Sequence, residues 1–318
     1  MPGGAAIEAA GLTKRYADVT AVDDLTFRVR EGSVTGFLGP NGAGKTTTLR
    51  MVLGLARPSA GEATIAGRRY VDLDDPARTV GANLEIAGAH PGRSGRNHLR
   101  ALAAMAGLPR SRVEEVLRLV ELDQAADRRA GKYSLGMRQR LGLAATLLGD
   151  PRILVLDEPA NGLDPQGIRW LRDFLRGMAR EGRTVLVSSH VLAEVAQTVD
   201  DVVVIHHGRL VEQGPVETLT AAGAGVLVRS PRPDELRSAL YREGLTASVT
   251  PNGALVVEGV DAARVGDIAF AAGVPLHELS PRSTSLEEAF LALTSDPGPA
   301  AAPAERKGEP WAGWLPES

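Results

Sequence analysis

No cysteine occurs in the 318 residues, so the chain has neither a disulfide framework nor a thiolate metal site. That suits a reducing compartment. No apolar run approaches the roughly 18 residues a membrane-spanning helix requires. Met1 to Ala10 lacks a basic stretch followed by an apolar core, so no secretory signal is expected. Long basic runs are missing too: 36 Lys and Arg against 39 Asp and Glu leave a net charge of −3, and nothing recommends nucleic acid as a partner. Lysine itself is scarce, occurring only at Lys14, Lys45, Lys132 and Lys307. At about 150 residues per domain, the length predicts two domains, or one large domain with an appendage.

One of those lysines stands in the most informative stretch. Gly39-Pro40-Asn41-Gly42-Ala43-Gly44-Lys45-Thr46-Thr47 follows an apolar run, Val34 to Leu38, and precedes a proline-free segment with helical spacing, Lys45 to Leu55. A strand, Gly-x-x-x-x-Gly-Lys-Thr and a helix form a phosphate-binding loop in its required context. Glycines let the backbone turn so that successive N–H groups converge on a polyphosphate. The helix N-terminus adds partial positive charge, the Lys45 ammonium reaches β- and γ-phosphates, and the Thr46 hydroxyl can ligate Mg²⁺. The alternative, a glycine turn that carries a lysine by chance, has odds of roughly one in a hundred in a chain this long.

Ile153-Leu154-Val155-Leu156-Asp157-Glu158 reads as a central parallel strand, apolar throughout and ending in two carboxylates. Open α/β sheets bind ligands at that strand end, which makes Asp157 a candidate for Mg²⁺ and Glu158 one for orienting water. Solvated loop acids are the bland alternative, weakened by the phosphate loop in the same chain. Several other residues admit two readings. Tyr16 is either a packed sheet-edge aromatic or a stacking partner for a base. Ser134, opening the helix that begins Tyr133-Ser134-Leu135-Gly136-Met137, is an N-cap or, with Gly136, an anion site whose anion comes from elsewhere. Asp164-Pro165 caps and starts a helix to about Arg180. His190, after Thr184 to Ser188, is structural or a γ-phosphate contact.

Between these motifs the pattern predicts a strand over 78–84 and helices over 97–106 and 112–120, together a small helical insert. Val202 to Ile205 and Arg209 to Glu212 form a hairpin-like pair. Beyond residue 225 the order β-α-β-β-α-β, closing on a strand from Val274 to Leu279, predicts a ferredoxin-like split unit. Thr284-Ser285-Leu286-Glu287 is a capping box for a last helix to Leu293. From Asp296 on, proline, alanine, glycine and charge predict a disordered tail in which Trp311 and Trp314 stand out.

In this order the motifs resemble the ATP-binding subunit of an ABC transporter, over roughly residues 7–222. The resemblance implies an α/β P-loop ATPase core with an N-terminal antiparallel β-subdomain and a helical insert at about 86–150, within an ATPase domain of residues 1–222. A small α+β domain at 223–295 and the tail at 296–318 would follow. It further implies ATP and Mg²⁺ as cofactors, with Gly39 to Thr47 as the nucleotide loop and Tyr16 as the adenine-stacking aromatic. Asp157 and Glu158 match the metal-binding aspartate and catalytic glutamate, Asn161 to Asp164 the loop that follows them, and His190 the switch histidine. Ser134-Leu135-Gly136-Met137 stands at the family signature with two departures, Leu135 for a glycine and Met137 for a glutamine. Glu85 occupies the place of a Mg²⁺-contacting glutamine, with Asn83 a lesser candidate. The ending Ser285 to Leu291 is similar to the tails of drug and bacitracin exporter ATPases. The implied partners are a second ATP-binding subunit and a membrane permease, at the cytoplasmic face of the cell membrane. A soluble ATPase acting on ribosomes or DNA, or an importer subunit, is the rival reading.

Overall fold

The computed structural model describes residues 4–84, 89–191, 197–221, 225–250, 252–282 and 290. Glu85, the capping box at 284–287 and the tail with Trp311 and Trp314 lie outside the described residues, as does all of the last predicted helix except Phe290.

Three sheets carry the described residues. The first pairs β1 (Ala5–Tyr16) antiparallel with β2 (Val19–Arg30) and with β4 (Ala60–Ile65). Val22, Leu25, Phe27 and Val29 of β2 are buried, a spacing of three and then two. The irregular step coincides with Asp24 at φ 51° opposite a register shift in β1, so a bulge keeps every apolar side chain on one face.

The second sheet has six strands in the order β5-β6-β7-β3-β8-β9. These are β3 (Val34–Leu38), β5 (Val80–Asn83), β6 (Ile153–Asp157), β7 (Thr184–Ser189), β8 (Asp201–His206) and β9 (Arg209–Pro215). All pairs are parallel except the β8–β9 hairpin at the edge. Parallel strands covered on both faces need continuous apolar runs, and the Val34–Leu38 and Ile153–Leu156 runs are wholly buried. One core joins this sheet to the first, with α1 (Lys45–Val52) between them and the Phe27 and Phe37 rings 5.2 Å apart. The opposite face carries α3 (Gly95–Met105), α4 (Ser111–Leu119), α5 (Leu135–Thr146) and α6 (Pro165–Arg180), and partly buried Phe290 packs against this second core. No helix among the described residues is long and apolar enough to cross a membrane.

After α7 (Val216–Ala221) a third, separate core begins. It holds β10 (Gly225–Arg229), α8 (Pro233–Arg242), β11 (Ala247–Val249), β12 (Leu255–Glu258), α9 (Ala262–Ala271) and β13 (Glu278–Arg282). The sheet is antiparallel in the order β11-β12-β10-β13, so each β-α-β unit leaves a gap that a strand of the other fills.

Two predicted strands are corrected. Residues 78–84 do not all extend: Asp75 caps a single turn, α2 (Pro76–Thr79), by accepting from the Arg78 N–H at 3.2 Å, and the strand starts at Val80. An Asp-Pro pair is a helix-start signal that outweighs the following β-branched residues. The last strand is not Val274 to Leu279 but Glu278–Arg282. Val274 instead closes α9, its N–H bonded to the Ala269 carbonyl at 2.9 Å, and Pro275 brings no N–H to a ladder. Pro281 is tolerated because β13 is an edge strand.

One buried group in the helical layer has a measurable cost. His98 of α3 is 9% exposed, and neither ring nitrogen has a hydrogen-bond partner among the described residues. Desolvation, and secondarily the Arg93 charge, hold its pKa below the ordinary value of 6.5. The unfolded chain therefore binds this proton at a higher pH than the folded one, and stability falls as pH drops below about 6.5. In His98→Leu both unpaired nitrogens vanish, a change that is near neutral or stabilising at pH 7. Urea midpoints should fall less between pH 7 and 5.5 in His98→Leu than in the parent chain.

Candidate functional site

The site begins where β3 ends. The chain turns through Gly39 to Gly44 into α1, and steric crowding dictates glycine at two positions. A Cβ on Gly39 would lie 2.5 Å from the Ile205 carbonyl oxygen, and one on Gly44, at φ 101°, 2.5 Å from that of Ala21. The loop is held from outside as well: the Gly208 N–H, in the β8–β9 turn, donates to the Ala43 carbonyl at 3.0 Å. Gly44 has no side chain to cap α1, so the first turn presents its N–H groups toward the loop. A cleft of about 260 Å³ opens there, lined by Ala21, Asn41, Gly42, Gly44, Lys45, Thr46, Thr47, Glu158 and Asn161.

The two carboxylates reach the same cleft from β6. Thr46 donates its hydroxyl to Asp157 Oδ2 at 2.6 Å. Glu158 leaves the strand at φ 48°, a left-handed conformation that costs a non-glycine residue on the order of 1 kcal/mol or more. Its side chain is held at both oxygens. The Lys45 ammonium lies 3.3 Å from Oε1, and His190 Nδ1 is 2.8 Å from Oε2. Lys45 is only 6% exposed and donates also to the carbonyls of Gly39, at 2.7 Å, and Pro40, at 3.2 Å. Thr46 and Asp157 thus form one bonded pair, and Lys45, Glu158 and His190 a bonded chain beside it, across the C-terminal ends of β6, β7 and β3. The cradle accepts only glycine at its closest approaches, and its hydroxyl and carboxylate oxygens are the hard donors Mg²⁺ prefers, so these residues fit a magnesium-bound polyphosphate.

Other residues singled out from the sequence lie apart. Ser134 caps α5, accepting from the Met137 N–H at 3.2 Å, and Asp164 caps α6, accepting from the Gly167 N–H at 2.7 Å. The start of α5 faces the 161–164 loop: a Cβ on Gly162 would lie 2.2 Å from Leu135 Cδ2, and one on Gly136 3.6 Å from Leu163 Cδ2. Neither Ser134, Gly136 nor Asp164 lines the cleft of its own chain. Tyr16 ends β1 half exposed, with the Lys14 ammonium 4.9 Å from its ring centre, and does not line the cleft either. Asn83 is buried with its amide against Gly142 of α5, where a Cβ would approach Nδ2 to 2.9 Å.

Sequence reading gave Ala21 and Ser188 no role and named Asn161 only as part of a loop. Asn161 and Ala21 line the cleft, the latter brought there by the fold of β2. Ser188 is fully buried, and its hydroxyl donates to Asp157 Oδ1. Only the parallel register of β6 and β7, which pairs those two residues, reveals it.

A glycine loop opening onto a helix N-terminus, with threonine and strand-end carboxylates beside it, defines a P-loop nucleoside triphosphatase. Residues 22–161 match the family model described as ABC transporter, and residues 224–287 match a domain of unknown function. The bacitracin transport ATP-binding protein BcrA of Bacillus licheniformis is 42% identical over 216 residues, 67% of this chain and 71% of that protein. The Nod factor export ATP-binding protein I of Ralstonia nicotianae is 40% identical over 216 residues, 66% and 67% of the two chains. Among solved structures, cbiO1 of Clostridium perfringens, part of the ABC transporter complex cbiONQ, superposes with a TM-score of 0.61 at 25% identity, covering 75% of this chain and 95% of that one. The chain belongs to the ATP-binding, ATP-hydrolysing subunits of ABC transporters.

Proposed function

We propose that this chain hydrolyses ATP to drive export of a substrate through a separate membrane permease, and that it does so as one of a pair of such subunits. The observation that carries the reading is the connected chain Lys45–Glu158–His190 with Thr46–Asp157 at the mouth of one glycine loop. The loop N–H groups and Lys45 bind the phosphates, while the Tyr16 ring stacks on adenine. Thr46 and Asp157 hold Mg²⁺, with Glu85 a further metal-facing residue on sequence grounds alone. Bound Mg²⁺ would supply neutralisation of phosphate charge. Glu158 takes the proton side of the attacking water, and His190 orients Glu158 and the γ-phosphate. Little covalent work falls to the protein, so positioning and electrostatics carry the rate.

The pairing reading is supported by Ser134 and Gly136, which stand at a helix start outside their own cleft and are free to cover the γ-phosphate of a second copy. Export is supported by the Nod factor relative and permease coupling by the transport relatives. A division into an ATPase domain of residues 1–222, an accessory domain at 223–295 and a tail at 296–318 is supported by the separate third core. To test the function, a tagged Glu158→Gln chain is expressed in its native host, loaded with ATP and recovered from membranes and cytosol. A polytopic membrane protein among the co-purifying chains supports the reading, and ribosomes or no membrane partner overturns it.

A further inference from the structure

Ser188 stands between the two carboxylate residues that end β6, and neither the nucleotide loop nor the water-activating chain accounts for it. It is fully buried at the end of β7, side by side with Asp157 in the parallel register. Its hydroxyl has one proton, and the chemistry of its neighbours leaves no choice of direction. A carboxylate only accepts, so the proton goes to Asp157 Oδ1. A backbone N–H only donates, so the Ser188 oxygen accepts from Glu158 N at 2.9 Å.

We propose that Ser188 is a positioning residue for ATP hydrolysis, its single hydroxyl fixing both the carboxylate plane of Asp157 and the backbone of Glu158. The inference rests on the metal role of Asp157 and the water-activating role of Glu158 proposed above. Asp157 is gripped by two hydroxyls, one on each oxygen: Ser188 from β7, and Thr46 from α1 at 2.6 Å. When Thr46 and Oδ2 turn to a cation, the Ser188 bond still sets the plane in which Oδ2 faces it. The same oxygen holds the N–H of Glu158 where the backbone leaves the sheet at φ 48°. That torsion decides where the Glu158 side chain points. Two residues on, His190 meets Oε2 at 2.8 Å, so one strand end anchors Glu158 by both backbone and side chain.

Serine at a strand end can also be mere packing, and a pair of near-isosteric variants separates the two. Ser188→Thr keeps the hydroxyl and Ser188→Val does not, while both add the same bulk at Cβ. The full-length parent and both variants are compared by thermal melting, ATP affinity in EDTA, Mn²⁺ affinity by electron paramagnetic resonance with a non-hydrolysable ATP analogue, and steady-state ATP hydrolysis. In Ser188→Val, ATP affinity in EDTA should stay within about twofold, while Mn²⁺ affinity and kcat each fall about 10- to 100-fold, the cost of losing a residue that orients a metal ligand. Ser188→Thr should recover both to within a few-fold of the parent. Parent-like kcat and Mn²⁺ affinity in Ser188→Val overturn the proposal, as does Ser188→Thr failing as badly as Ser188→Val at an equal melting temperature. If Ser188→Val melts early, Ser188→Ala takes its place with the same expectations. A parent chain that neither binds nor hydrolyses ATP would instead overturn the proposed function itself.

Discussion

Glu158→Gln lowers ATP turnover by about 10²–10⁴-fold while ATP binding survives, the usual span for loss of a positioned general base. Phosphate release measured beside equilibrium nucleotide binding checks both halves. The substitution is nearly isosteric, and glutamine bears the same backbone cost at φ 48°, so the fold is not at stake. What changes is charge. The Glu158 carboxylate balances the buried Lys45 ammonium at 3.3 Å and takes the His190 contact at 2.8 Å. A neutral amide can still accept from Lys45, yet cannot draw a proton from water. Because the phosphates stay intact, ATP should hold two copies together through Ser134 and Gly136 of each, and size-exclusion chromatography in ATP should show a dimer. Unchanged turnover would remove Glu158 from its role. Lowered turnover without a dimer would leave Glu158 in place and remove the second-subunit role of Ser134.

What the sequence could show, and what it could not, follows from the range of each interaction. The phosphate loop was legible because its pattern is contiguous: glycines that let the backbone turn, Gly44 at φ 101° among them, then lysine and threonine opening a helix. The strand Ile153–Asp157 and the helix Pro165–Arg180 announced themselves by a buried apolar run and by an Asp-Pro start. Long-range pairings were invisible. Nothing in one chain segment says that Ser188 lies beside Asp157, since that depends on the register of two strands 31 positions apart. Leu135, a departure from the family signature, is likewise explained only by its partner: it fills the space above Gly162, at φ 71°, where no side chain could stand. The missed turn at Pro76–Thr79 and the shifted β13 share another cause, in that proline redirects backbone hydrogen bonds that β-branched neighbours alone would place in a strand.

Lys45→Ala should weaken ATP binding at least about 10- to 100-fold, since each hydrogen bond to a charged group contributes about 1.5–3 kcal/mol. Lys45→Arg should not rescue it, because the side chain is 6% exposed between the Gly39 and Pro40 carbonyls and Glu158, with no room for a planar fork. The more discriminating variant is the double one. With Lys45 gone, Glu158 keeps His190 at Oε2 but loses the cation at Oε1, and a bare carboxylate then faces the cleft that takes the phosphates. Like charges at such range in a partly buried cleft repel by roughly a few kcal/mol. Lys45→Ala/Glu158→Gln should therefore bind ATP more tightly than Lys45→Ala alone, although each single change removes a group from the site. Side chains in direct contact are where such non-additivity is expected. Fluorescent-nucleotide titration of the parent, the two single variants and the double variant closes the cycle. A double variant that binds no better than Lys45→Ala would mean that the Glu158 carboxylate does not face the phosphates, and its claim on the water would fall with that result.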